Sequence, residues 1–164
     1  MRNIAFVAVL GFALCARPTA PAPAVEEDGY DLWLRYRPIT DAALLAEYRS
    51  VASYLVMPDT SPTLRAAKRE ILAGLGGLLG TPLPVESRIT KDGAILVGSA
   101  ASPRIAGLPI ADELRVAGAE GFLLRTLRVD GWNTFVIAAN TDVGVLHGVF
   151  AFLRRIQTHQ APAR

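Results

Sequence analysis

Apolar residues recur at helical spacing in two stretches of the chain. The first follows Ser61-Pro62, where serine can cap a helix and proline suits its first turn, and extends to about Leu79. Its apolar positions, three or four residues apart, are Leu64, Ala67, Ile71, Leu75 and Leu78. The second begins at Asn140, Thr141 or Asp142, and its apolar face is Val145 or Leu146, Val149, Phe152 or Leu153, and Ile156. One-sided spacing of this kind predicts two amphipathic helices with buried inner faces.

Shorter apolar or alternating stretches predict strands among these helices. They are residues 30–36, 51–57, a short strand starting at Val85, 94–98, and a hairpin of 122–129 and 134–139. Asp130-Gly131 is a favoured hairpin turn, and Thr40-Asp41 can cap a short helix, AALLAEY. Residues 99–118 are predicted to be loop-like, with a single helical turn at 111–114. The predicted fold class is α/β (α+β), a mixed β-sheet covered by helices.

The N-terminus has the layout of a secretory signal peptide. Arg2 precedes an uncharged apolar run at residues 4–16, which is shorter than the ~18–20 residues that span a bilayer as a helix. A Pro/Ala-rich lead-in follows, and Ala22-Pro23-Ala24 has the small-residue pattern of a cleavage site. We expect a secreted or periplasmic protein, rather than one with an uncleaved anchor or a buried core helix here. The predicted division is 1–24 signal peptide and lead-in, 25–160 domain, and 161–164 tail.

Removal of that leader changes the charge and the thiol content. The chain has 17 Lys and Arg against 15 Asp and Glu, and the leader contains Arg2 and Arg17, so the remainder is neutral overall. A neutral domain has no electrostatic support for a nucleic-acid partner or an anionic membrane. Cys15 is the only cysteine, so cleavage beyond it leaves no disulfide and no cysteine metal site.

No motif in the chain assigns a catalytic, cofactor-binding or metal-binding residue, and no cofactor is expected. The glycine run at 74–80 lacks the G-x-G-x-x-G spacing and closes a helix, whereas a phosphate-binding loop opens one. Close helix packing with Gly80 as a C-cap explains it better. His147 and His159 are twelve residues apart and indicate surface positions rather than metal ligands. Ser99 follows Gly98 but lacks the second glycine of a nucleophile elbow.

Other polar and aromatic groups admit two interpretations. Carboxylates at 26–28 and at 112–113 have no feature that fixes an acid/base separation, so a solvated surface is the simpler interpretation. Trp33 and Tyr36, with Arg35 and Arg37, can form a strip that stacks sugars or binds carboxylates. The same strip can instead pack against another domain.

Four segments resemble one enzyme family. They are EDGYDLWLRYRPI at 27–39, GLGGLLG at 74–80, GFLLR at 121–125 and VIAANTDVGVLHGVFAFLRRIQTHQ at 136–160. Together they are similar to the N-terminal domain of the α-glucuronidases of glycoside hydrolase family 67, over about residues 26–160. Two features depart from the family: His147 stands where a tyrosine is usual, and the loop at 99–118 differs.

The resemblance implies a non-catalytic role. Enzymes of this family remove glucuronic acid, often 4-O-methylated, from the α-1,2 position of xylo-oligosaccharides with inversion, which requires two spaced carboxyl groups. In the family these groups lie in a (β/α)8 barrel that follows the N-terminal domain. That domain is an α/β unit similar to the one that precedes the barrel in β-hexosaminidases, and it packs on the barrel. No position here matches a catalytic residue, so we expect the isolated chain to be inactive.

The resemblance also sets the expected partner. We expect a domain that is truncated or split from its catalytic barrel. The barrel would begin near Arg164. The expected partner of the domain is that barrel, and we expect xylo-oligosaccharide to bind only through the barrel. We expect no membrane contact after the signal peptide is cleaved. The alternative is a free-standing secreted carbohydrate-binding or scaffold domain. An enzyme with an unrelated activity would need a site that the sequence does not display. We expect the barrel-facing surface to be apolar and to include Trp33 or Tyr36.

Overall fold

The computed structural model describes residues 36–58 and 60–162. Helices and strands alternate along these residues, as an α/β or α+β fold requires. In chain order they are α1 (Ala42–Val51), β1 (Tyr54–Val56), α2 (Pro62–Leu79), β2 (Ala94–Ser99), α3 (Pro103–Ala106), α4 (Ala111–Ala117), β3 (Phe122–Val129), β4 (Trp132–Ala139) and α5 (Asp142–Gln157). Within this part of the chain, no helix is both long enough and apolar enough to cross a membrane.

The four strands form one mixed sheet in the order β1-β2-β4-β3. β1, β2 and β4 are mutually parallel, and β3 pairs antiparallel with β4. The β3–β4 hairpin turns at Asp130 and Gly131, which have φ values of 52° and 88°. Positive φ at both central residues is what a tight hairpin turn demands, so the Asp-Gly pair specifies this connection. The predicted fold class, a mixed sheet covered by helices, is confirmed.

Capping residues define the ends of the long helices. The Asp41 carboxylate accepts hydrogen bonds from two backbone N–H groups of α1. The hydroxyls of Ser61 and Thr141 cap α2 and α5 in the same way. Gly80 ends α2 in the left-handed conformation, with φ of 71°, which glycine adopts without a steric penalty. The predicted starts of these helices and the predicted end of α2 are therefore confirmed, and Thr141 is the cap of α5. α1 continues to Val51, three residues beyond the predicted segment AALLAEY.

Side chains alternate between the two faces of the sheet, and each face has its own cover. Ile95 and Val97 of β2 contact the first hydrophobic cluster, beneath α1, α2 and α5, which we call the first layer. Ala94 and Leu96 contact a second cluster, beneath α3, α4 and residues 85–91, which we call the second layer. All six residues of β2 are buried, as expected for a central parallel strand covered on both sides.

Several local predictions need correction. The strand predicted at 51–57 is shorter, because Val51 ends α1 and only residues 54–56 pair. Val85 makes an isolated bridge with Leu55 rather than starting a strand. Residues 99–118 contain two helices, α3 and α4, rather than a loop with a single turn. Both helices are anchored by buried side chains, Ile105 and Leu114. The strand predicted at 30–36 lies outside the described residues except for Tyr36, which is not in a strand.

Candidate interaction surface

The outer face of α5 carries exposed apolar side chains. Val143 and Phe150 are 44% and 39% exposed and lie seven residues apart. His147 and Arg154 are also exposed, and they lie four residues after Val143 and Phe150, respectively. Since positions four and seven residues apart share one side of a helix, these four side chains form a line, which we call the α5 outer stripe. The opposite side of α5 buries Val145, Val149, Phe152 and Ile156 in the first cluster.

Close packing fixes α5 against the sheet. A Cβ atom placed on Gly148 would lie 2.8 Å from the Cγ2 of Ile137, and one on Gly144 would lie 2.8 Å from the Cβ of Ala139. Only glycine allows the helix backbone to approach β4 this closely. The α5 outer stripe is therefore displayed from a firmly seated helix, as an interaction surface needs.

The helix beside α5 also carries positive charge. α2 packs along α5, and its exposed side chains include Arg65 and Arg69. Arg154 adds an exposed guanidinium group to α5 itself. An apolar centre within a polar rim is the usual anatomy of a protein interface, and arginine is enriched there.

Tyr36, by contrast, is half-buried against the core of this domain. Its ring packs against the first cluster, and its hydroxyl donates a hydrogen bond to the Glu70 carboxylate on α2. Burial, reinforced by Glu70, raises the pKa of the Tyr36 phenol above its ordinary value. Tyr36 is thus engaged within its own domain. Trp33 and Arg35 of the predicted strip lie outside the described residues, and Arg37 is exposed.

A comparison with models of known protein families identifies the family of this chain. The family model described as the glycosyl hydrolase family 67 N-terminus matches residues 32–152, which includes most of α5. The chain belongs to this family. No match was found among curated proteins. The predicted resemblance to a family 67 N-terminal domain is therefore confirmed.

The glycine run of this family 67 domain serves helix packing, as the sequence predicts. A Cβ on Gly74 would lie 2.6 Å from the Leu153 Cδ2 of α5, and one on Gly77 would lie 2.6 Å from the Tyr36 carbonyl oxygen. The run closes α2 at Gly80 rather than opening a helix. The motif thus holds Tyr36 and α5 against α2.

The two histidines lie apart on the surface. His147 is on the α5 outer stripe, with its Nδ1 3.3 Å from the Glu120 carbonyl oxygen. The position at which the resemblance implies a tyrosine therefore lies on the outer surface and not in the core. His159 is exposed beyond the end of α5. Within residues 36–58 and 60–162, no three His, Cys, Asp or Glu side chains lie close enough together to hold a metal ion.

The polar candidates of the sequence have structural partners. The buried Ser99 hydroxyl donates to the Asp142 carboxylate at 2.9 Å and so ties the end of β2 to the start of α5. Glu113 pairs with Arg125 of β3, and Asp112 lies 3.5 Å from Arg115. The carboxylates at 26–28 lie outside the described residues.

Sequence reasoning missed the residues of the α5 outer stripe. It placed the apolar surface at Trp33 or Tyr36 and considered only the inner face of the last helix. A signal was present: Val143, His147, Phe150 and Arg154 repeat at steps of four, three and four. Two exposed apolar side chains on the outer side of a helix that already has a buried face mark a candidate contact outside the domain.

Proposed function

We propose that this chain is the non-catalytic N-terminal domain of an α-glucuronidase and that it packs on the catalytic barrel through the α5 outer stripe. The parent activity is removal of α-1,2-linked glucuronic acid, often 4-O-methylated, from xylo-oligosaccharides during xylan degradation. The supporting observation is the pair of exposed apolar side chains, Val143 and Phe150, on a helix within the family match. Catalytic carboxylates are supplied by the barrel.

The test is binding to a family 67 catalytic domain expressed as a separate polypeptide. We expect the parent domain to bind it, as measured by calorimetry, and Phe150→Glu and Val143→Glu to weaken binding at least tenfold. Val116→Glu is the matched control, because Val116 is 79% exposed on α4 in the second layer. Failure of the parent domain to bind contradicts the proposed function. Equal binding by all variants shows that docking uses another surface.

An activity assay checks the non-catalytic part of the proposal. The isolated chain, incubated with aldouronic acids, should release no glucuronic acid, because hydrolysis needs a positioned acid, a positioned base and its water. Release by the chain alone, at a rate proportional to its concentration, would overturn the proposal.

Export is a separate part of the proposal. We infer that residues 1–24 direct the chain out of the cytoplasm and are removed, on the evidence of the charged start, the apolar run and the A-x-A site. N-terminal sequencing of the exported protein should begin near Arg17 or Val25. An intact Met1 on protein recovered from the cytoplasm alone would contradict it.

A further inference from the structure

A pocket of about 240 Å³ lies where β2 and β4 end. These two strands are adjacent and parallel, and the pocket is lined by the residue that directly follows each of them, Ala100 and Asn140. The chain leaves β2 for α3 in the second layer, whereas it leaves β4 for α5 in the first layer. Where neighbouring parallel strands diverge in this way, a crevice opens at their carboxyl ends, and ligands bind in such crevices.

The walls of this pocket are apolar. Ile105 of α3 and Leu114 of α4 line it, are 1% and 4% exposed, and belong to the second cluster. Ala106 and Ala111 also line it and are exposed, so side chains of minimal size stand on its solvent side. Because its walls include anchored core side chains, the pocket is formed before any ligand arrives.

Asn140 is the one polar side chain among the described residues that line the pocket. Its Nδ2 donates to the carbonyl oxygens of Leu114 and Gly118. Carbonyl oxygens only accept hydrogen bonds, so the amide must direct its NH₂ group at them and its oxygen elsewhere. Within the described part of the chain, no group donates to that oxygen. The pocket therefore combines apolar walls with one available acceptor.

This lining restricts the class of ligand. No charged side chain is among the described lining residues, so an anion or a cation would lose its hydration without gaining a counter-charge. A sugar ring has hydroxyls on all sides, and most of them would face apolar walls without hydrogen-bonding partners. A pure hydrocarbon would displace water from the Asn140 oxygen without replacing its hydrogen bond.

The volume limits the size of the ligand. A dry cavity of roughly 150 Å³ is enough to bind benzene, so about 240 Å³ accommodates one ring with a small substituent. A rigid ring also loses little conformational entropy on binding.

We propose that this pocket binds a small neutral ring that carries a single hydrogen-bond donor, such as a phenol. The ring packs on the apolar walls, and its hydroxyl donates to the Asn140 oxygen. The inference goes beyond docking to a catalytic domain, since the pocket and the α5 outer stripe share no residue.

The test is a titration of the full chain labelled with ¹³C at the isoleucine methyl groups. The reporter is Ile105, assigned with Ile105→Val, and the remote reference is Ile71, which is fully buried in the first cluster. Phenol should shift the Ile105 resonance saturably, with a dissociation constant on the order of 1 mM, and leave Ile71 unchanged. Fluorobenzene, which has nearly the same size but no donor, should bind several-fold more weakly.

Benzoate and methyl glucoside complete the series, and neither should produce a saturable shift. The absence of a saturable shift with phenol would overturn the proposal. Equal binding of fluorobenzene and phenol, or tighter binding of benzoate or methyl glucoside, would contradict the proposed ligand class. The donor requirement is tested on the ligand because a change at Asn140 would also remove its bonds to residues 114 and 118.

Variants that fill the pocket test its location. Ala106→Phe and Ala111→Phe each place a ring at an exposed lining position and should abolish the saturable shift with phenol. Val116→Phe is the matched control, because Val116 is 79% exposed on α4 and does not line the pocket, and it should bind phenol like the parent. Urea unfolding curves establish which variants are folded. Phenol binding retained in a folded Ala106→Phe or Ala111→Phe chain would contradict the assigned site.

Discussion

The two layers that cover the sheet are built in different ways. In the first layer, α2 has 18 residues and α5 has 16, and a side-chain hydroxyl caps each. In the second layer, α3 has 4 residues and α4 has 7, and neither has a side-chain cap hydrogen bond. Long capped helices bury a continuous apolar face. Short helices must be held by individual anchors, such as Ile105 and Leu114.

This difference separates two kinds of surface. The first layer is built from long, capped helices. Its outer side carries the α5 outer stripe, and this stripe is suited to contact with another folded domain. The second layer is assembled from short segments, and a cleft lined by Met57, Pro58 and Pro103 lies at its junction with the end of β1.

The largest expected effect tests the division of α5 into an inner and an outer side. Phe152 is fully buried, and its ring centroid lies 4.6 Å from that of Phe135. Phe152→Asp should reduce the free energy of unfolding by more than ~4 kcal/mol, because it buries an unpaired charge. Phe150→Asp, two residues away on the outer stripe, should change it by no more than ~0.5 kcal/mol. Urea unfolding measures both, and similar losses in the two variants would refute the division.

The same contrast explains what the sequence could predict. The apolar positions of α2 and α5 repeat over three turns or more, so periodicity identified both helices and their buried faces. α3 is a single turn, which is too short to show a period, although Ser102-Pro103 is a helix-start signal. The cleft joins Met57 to Pro103, which are far apart in sequence, and it exists only because β1 lies beside β2. That placement depends on strand order, which periodicity does not encode.

The second expected effect concerns the anchoring of the second layer. The buried Tyr54 hydroxyl donates to the Lys91 carbonyl at 2.7 Å and accepts from the Thr90 N–H at 3.1 Å. Tyr54→Phe should cost about 1–3 kcal/mol, because it removes the hydrogen bonds that join the buried hydroxyl to residues 90 and 91. Hydrogen exchange should accelerate at residues 85–91 with little change in α2.

Tyr48→Phe is the matched control for that experiment. Tyr48 is equally buried, but its hydroxyl donates to the Gln160 carbonyl at 2.9 Å. Its loss should accelerate exchange near the end of α5 and leave residues 85–91 unchanged. Uniform acceleration across the domain in both variants would show that the two layers unfold together and are not independently anchored.

The smallest expected effect tests how closely α2 and α5 pack, and it has opposite signs at two neighbouring glycines. A Cβ on Gly74 would lie 2.6 Å from the Leu153 Cδ2 and 3.1 Å from the Tyr36 Cζ, whereas a Cβ on Gly76 would meet no atom within 4 Å. Gly74→Ala should therefore destabilise the domain by about 1–2 kcal/mol through overpacking. Gly76→Ala should stabilise it by up to ~1 kcal/mol, because alanine favours the helix at an open position. Thermal unfolding with matched urea titrations measures both, and stabilisation by Gly74→Ala would show that α2 and α5 have room to separate.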